Sequence, residues 1–163
     1  MMETIPLGGI IAIAIILPKL LVVFYPPNLK QANVSVRVDR LSQAMNIFER
    51  VGQIGSFTIP FFYQLKYSII LDTTMLIIMS GALVLYYVGW TRYLVKGRNE
   101  GLFYKSMFGL PLPMAIMPVV YFISASVLLS SGWLLTSAIL IGAGHITVSW
   151  QHSRCIDHQT VMK

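Results

Sequence analysis

Five apolar stretches organise the hydropathy pattern of the chain: Ile5–Tyr25, Val51–Leu65, Tyr67–Trp90, Met107–Leu129 and Trp133–Trp150. A bilayer core takes about 20 apolar residues per helix and offers no partner to a bare backbone N–H or C=O, so each stretch predicts a membrane-crossing helix. The second stretch is short, but a helix that starts at Leu41 and ends near Tyr63 would span roughly 34 Å. Along that helix Ser42, Asn46, Glu49, Gln53, Ser56 and Pro60 alternate spacings of four and three, forming one polar stripe. Leu41, Ala44, Phe48, Val51, Gly55 and Phe62 occupy its other faces. Tyr25, Tyr63, Tyr67, Trp90, Tyr93, Tyr104, Trp133 and Trp150 fall near the ends of the stretches, where amphipathic rings sit at headgroup level.

The expected fold is therefore an all-α membrane protein with five transmembrane helices, about 5–25, 41–65, 67–90, 107–129 and 133–150, in a single domain over 1–163. The connection Pro26–Asn46 is the longest and is expected to carry any interfacial helix. Composition agrees: of 163 residues 56% are hydrophobic and 11% charged, with a mean hydropathy of +0.71. Soluble domains carry about 25% charged residues, so a water-soluble domain, a disordered chain and a disulfide-framed module are excluded. The single cysteine, Cys155, permits no intrachain disulfide.

The net charge of +6 is a topology signal once its carriers are placed. Lys30, Arg37, Arg40 and Arg50 lie between the first two stretches, Arg92, Lys96, Arg98 and Lys105 between the third and fourth, and Arg154 and Lys163 after the fifth. Lys66 alone falls on the opposite side, and Lys19 lies inside the first stretch. Retention of positive loops in the cytoplasm predicts an N-terminus outside, a C-terminus inside and a multi-pass cell-membrane location. Basic loops so placed attract anionic lipid headgroups and give no reason to expect a nucleic-acid partner. Leu7–Leu17 has the length of a signal-peptide core, but Met1–Leu7 carries Glu3 and no basic residue, so it reads as a retained helix bent at Pro18.

Ionisable and polar groups inside these helices are the candidates for chemistry, because the membrane makes them costly unless paired or hydrated. Lys19 is close enough to its helix end to snorkel to the interface. Asp72 stands near the outer end of the third helix, where capping is one reading and a solute or proton site the other, with Thr73, Ser80 and Tyr87 continuing a polar line inward. On the last helix Ala138, Ile141, His145, Ser149 and His152 share a face. Glu49, Gln53 and His145 are expected at one depth, with Arg50 and Arg92 at adjacent helix ends and the broken Pro111–Pro118 element nearby. Interhelical hydrogen bonding is the alternative role for the stripe.

His152, Cys155 and His158 are metal-capable but too few for a closed site, so no metal site and no cofactor are expected. No phosphate-binding glycine loop, nucleophile elbow or redox cysteine pair occurs.

The strings Ile16–Pro27, Phe48–Gly55, Pro111–Pro118 and Gly144–Ile146 resemble a group of small bacterial multi-span membrane proteins. That resemblance implies no activity but draws attention to Glu49, Arg50, Gln53 and His145. Length and span number are also similar to the tryptophan-rich translocator protein family, whose Trp- and Pro-rich signature is missing here. The resulting candidate ligand-binding set is Glu49, Arg50, Gln53, Ser56, Asp72, Arg92 and His145. Three functions fit it: binding, with or without transport, of a small molecule or lipid in a cavity near the cytoplasmic leaflet; an accessory subunit packing against another membrane protein or a second copy; and an intramembrane enzyme using Glu49 and His145. Two pairs of small residues four apart, Ser126 with Ser130 and Ala138 with Gly142, would allow the close helix approach that the second requires.

Overall fold

The computed structural model describes residues 7–26, 40–63 and 69–161. Among them the regular elements are all helical: α1 (Leu7–Phe24), α2 (Arg40–Thr58) with a 3₁₀ turn (Ile59–Phe62), α3 (Ile69–Val95), a second 3₁₀ turn (Glu100–Phe103), α4 (Pro113–Leu128) and α5 (Gly132–Ile141). A π-helical turn (Gly142–Ile146) then leads without a break into α6 (Thr147–Val161). The all-α class expected from the pattern is found. Two helices, Thr73–Val95 and Gly132–Arg154, are long and apolar enough to cross a membrane, while Gly8–Phe24 and Pro113–Leu128 are apolar but shorter. The segment expected to hold an interfacial helix lies mostly outside the described residues.

Three boundaries differ from the hydropathy stretches, each for a local reason. α2 tightens into a 3₁₀ turn at Ile59 because Pro60 lacks the N–H that would continue the α pattern. The fourth helix begins at Pro113 and not near Met107. Pro111 and Pro113 keep Leu110 and Leu112 out of the helical region, and Met107 instead closes a tight turn with Leu110 through a reciprocal pair of backbone hydrogen bonds. The last helix runs past Trp150 to Val161, since nothing in Gln151–Val161 breaks it.

α3 packs along α4, α2 along α5 and the π turn, and α4 bridges α3 to α5. The core is aromatic where α3 and α4 meet: Tyr86, Trp90, Tyr93, Tyr121 and Phe122 are all buried. Large apolar side chains remain on the outside, with Ile54 68%, Ile77 67% and Trp133 73% exposed.

α1 is held partly through its backbone. Pro18 has no N–H to offer the Ala14 carbonyl, and the Tyr87 hydroxyl of α3 donates to that carbonyl at 2.9 Å instead. Tyr121 donates to the Ile11 carbonyl at 2.9 Å, and Tyr93 to the Tyr25 carbonyl just past the helix end at 3.1 Å. These phenols fix the height of α1, and with it the height of Lys19.

Candidate functional site: a paired carboxylate and imidazole beside two cavities

The site depends on how closely α2 and the last helical rod approach. A Cβ on Gly52 would lie 2.8 Å from the Ser137 carbonyl oxygen, and one on Gly144 would lie 2.6 Å from the Glu49 nitrogen and against the Met45 carbonyl. Glycine at these positions lets backbone meet backbone. The π turn centred on Gly144 brings the next residue, His145, directly over Glu49.

The Nδ1–H of His145 donates to Glu49 Oε1 at 2.8 Å, and the same oxygen accepts from Gln53 Nε2 at 2.9 Å. Gln53 stands one helical turn from Glu49, so its amide holds the carboxylate in place from the same helix. With the imidazole proton on Nδ1, Nε2 is left for another partner. The His145 and Glu49 side chains are 27% and 17% exposed, so the pair is largely withdrawn from solvent yet reachable from a cavity.

That cavity has a volume of about 420 Å³. Glu49, His145, Lys19 and Ser149 form its polar part, and Tyr86, Trp90, Phe103, Tyr104 and Met114 much of its apolar wall. Trp90 is 6% exposed and its ring stands edge-on to Tyr86, with centroids 6.1 Å apart. A narrow recess of about 20 Å³ lies among Gln53, Phe57, Pro118 and Phe122, and shares Lys19 and His145 with the larger cavity. Lys19 also stands over the Phe57 ring, 5.9 Å from its centroid. Pro118 interrupts the α4 hydrogen-bond ladder at this recess, so the broken helix does lie beside a cavity.

A second cavity, of about 590 Å³, adjoins the first across Tyr104, which lines both. Arg92 from the end of α3, Lys105 from the following loop and Arg154 from α6 give it a basic lining. Basic residues that are far apart in sequence are therefore gathered at one end of the helices.

Comparisons with protein-family models, with curated proteins and with solved structures give no match. The functional reading consequently stands on the residues themselves.

Of the residues expected at the site, Glu49, Gln53 and His145 come together. Ser56 continues the inward face of α2 but is fully buried below them, and its Oγ has no hydrogen-bond partner among the described residues. Arg92 belongs to the basic cavity, not to the one holding Glu49. Arg50 is exposed and lines neither cavity. The side chains of Asp72, Cys155 and His158 lie outside the described residues. His152 points its ring at Tyr104, stacked at 5.1 Å, and donates to the Val148 carbonyl. Among the described residues no cluster of three His, Cys, Asp or Glu side chains could hold a metal ion.

Lys19, Tyr86 and Trp90 enter the site although sequence reasoning assigned them to the interface or to no role. Trp90 and Tyr93, expected at headgroup level, are core residues. The available signal was the series Met79, Ala82, Tyr86, Trp90, Tyr93, which advances in steps of three or four and marks the buried face of α3.

Proposed function

We propose that this protein is a five-span membrane protein, with its N-terminus outside and its C-terminus in the cytoplasm. On this reading it binds a small molecule or lipid in the 420 Å³ cavity, opening toward the cytoplasmic leaflet. The observation that carries the proposal is the Glu49–His145–Gln53 set placed in the wall of an otherwise aromatic chamber of ligand size. The polar face of α2 from Glu49 to Pro60 packs within the chain, which favours a cavity over a subunit interface. Exposure of Ile54, Ile77 and Trp133 on the outside favours lipid surroundings. Arg92, Lys105 and Arg154 gathered at one end agree with the charge asymmetry that sets the orientation.

The ligand test is stabilisation of the purified protein in mild detergent by lipids and small solutes. Gln53→Leu and His145→Phe should each weaken a stabilising ligand about tenfold or more, the size of one lost charge-assisted contact. Unchanged affinity in both variants would place the ligand elsewhere. For orientation, single cysteines at Ser130 and Lys105 in a Cys155→Ser chain should react with an impermeant thiol reagent from outside and only after permeabilisation, respectively. The reverse labelling would invert the topology.

The 2.8 Å contact of Glu49 and His145 also favours a second reading, acid–base catalysis within the membrane. Turnover of any ligand found by the screen, abolished by Glu49→Gln, would select it over simple binding.

A further inference from the structure

We propose that the basic cavity is a phosphate site, and that the ligand of the two adjoining cavities is an anionic phospholipid. Its phosphate would sit among Arg92, Lys105 and Arg154, and its apolar part would pass Tyr104 into the aromatic chamber. The inference rests on the membrane-cavity reading above and names the class of ligand.

Three cations from three separate elements line one cavity of about 590 Å³, and none of them is ion-paired among the described residues. Like charges brought together repel unless an anion joins them, so the cluster itself specifies the sign of its ligand. The two guanidinium groups are also held in place beforehand. Arg92 Nη1 donates to the Ser106 carbonyl at 3.0 Å, and Arg154 lies over the Trp150 ring, 5.8 Å from its centroid. Each contact fixes the group while leaving N–H donors of the planar fork for oxygen ligands, the arrangement that suits a phosphate better than a single point charge does. Ser153 adds a hydroxyl to the same lining.

A free inorganic anion would account for the basic cavity alone. Two observations extend the ligand into the neighbouring one. Tyr104 forms the shared wall, and its stacking on His152 holds the ring in place between the chambers. Beyond it lies a largely aromatic lining, with Tyr86, Trp90 and Phe103 together with Met114 and Val22. Such a wall gives a small inorganic anion nothing to bind, whereas the acyl chains of a glycerophospholipid bury apolar surface against it. Headgroup phosphate and acyl chain thus meet the cations and the aromatic wall on the two sides of Tyr104.

The test uses the full-length protein released from membranes in mild detergent, offered equal amounts of phosphatidylglycerol and phosphatidylcholine with identical acyl chains, with retained lipid read by native mass spectrometry. Phosphatidylglycerol should be retained about tenfold more than phosphatidylcholine. The double variant Arg92→Gln, Arg154→Gln should lose that preference, and Lys105→Gln, at an exposed position, should reduce it. Phe103→Ala, in the wall of the aromatic chamber, should lower retention of both lipids while leaving the preference intact. Equal retention of the two lipids by the native chain overturns the proposal, as does full displacement of phosphatidylglycerol by millimolar inorganic phosphate, which would mark a small-anion site. If the preference is absent while another ligand still responds to Gln53→Leu and His145→Phe, this inference fails and the cavity reading survives. If neither set of variants changes any binding, both fail.

Discussion

The chamber that holds Glu49 and His145 is built on helix backbones, whereas the basic chamber beside it is built from side chains and loops at the ends of elements. In the first, Gly52 and Gly144 allow α2 and the terminal rod to touch main chain to main chain, and the polar groups follow from that contact. In the second, Arg92, Lys105 and Arg154 reach inward from a helix end, a loop and a terminal helix. Geometry tied to a rigid seam is costly to disturb but resists small changes, while geometry made by individual side chains can be altered one group at a time with little effect on folding.

The strongest way to break this contrast is Gly144→Val. Its side chain would enter the backbone of α2 at Glu49 and Met45, and overpacking against backbone should destabilise the protein by about 3 kcal/mol or more. Thermal unfolding in detergent measures the loss. In the fraction that folds, lipid preference at the basic chamber should persist; equal damage to both chambers would show that they are one mechanical unit.

Glu49→Ala comes next. It leaves His145 Nδ1 and Gln53 Nε2 without their shared acceptor, a loss of about 1–3 kcal/mol, whereas Arg92→Ala should stay within about 0.5 kcal/mol of the native chain. The comparison fails if the arginine change is the more destabilising in denaturant or heat titrations.

Tyr87→Phe tests how α1, which brings Lys19 to the first chamber, is held. Removing the donor to the Ala14 carbonyl should cost about 1 kcal/mol. In a Pro18→Ala background the restored N–H can serve that carbonyl, so the penalty should shrink, and a double-mutant cycle reads the difference. The smallest effect is expected for Arg50→Gln, which should leave stability within about 0.5 kcal/mol and ligand affinity unchanged, since Arg50 lines neither chamber.

What was legible in the sequence follows the same division. α2 runs as one uninterrupted helix across Ser42–Ser56, so spacings of three and four carried its stripe correctly to the protein interior from Glu49 onward. The last helix kept its inward face well enough for His145 to be matched to Glu49 by depth. The basic chamber needed the path of the chain between α3 and α4, and there the pattern is silent. Arg98, Phe108 and Leu112 adopt positive φ, at 59°, 53° and 48°, although none is a residue type that announces such a turn. Arg92 was therefore selected for a charge at a helix end but joined to the wrong neighbours. The late start of α4 escaped for a related reason, because apolar content over Met107–Leu112 is blind to what two prolines do to the residues before them. Trp90 was ambiguous in principle: an indole suits a membrane interface and a cavity wall equally well, and only the packing of α3 against α4 decides between them.

A π turn is an α-helix with one residue too many. In the Gly142–Ile146 segment that surplus residue is taken up within one wide turn, so α5 and α6 run on as a single rod. Excising one residue there would restore regular winding with little turn of α6, so Trp150 and Arg154 would keep their heading while the contact of Gly144 and His145 with Glu49 changed. One surplus peptide unit thus sets the aim of a proton-bearing pair without setting that of the basic pocket beyond it, and a single deletion that removes no functional side chain would separate the two.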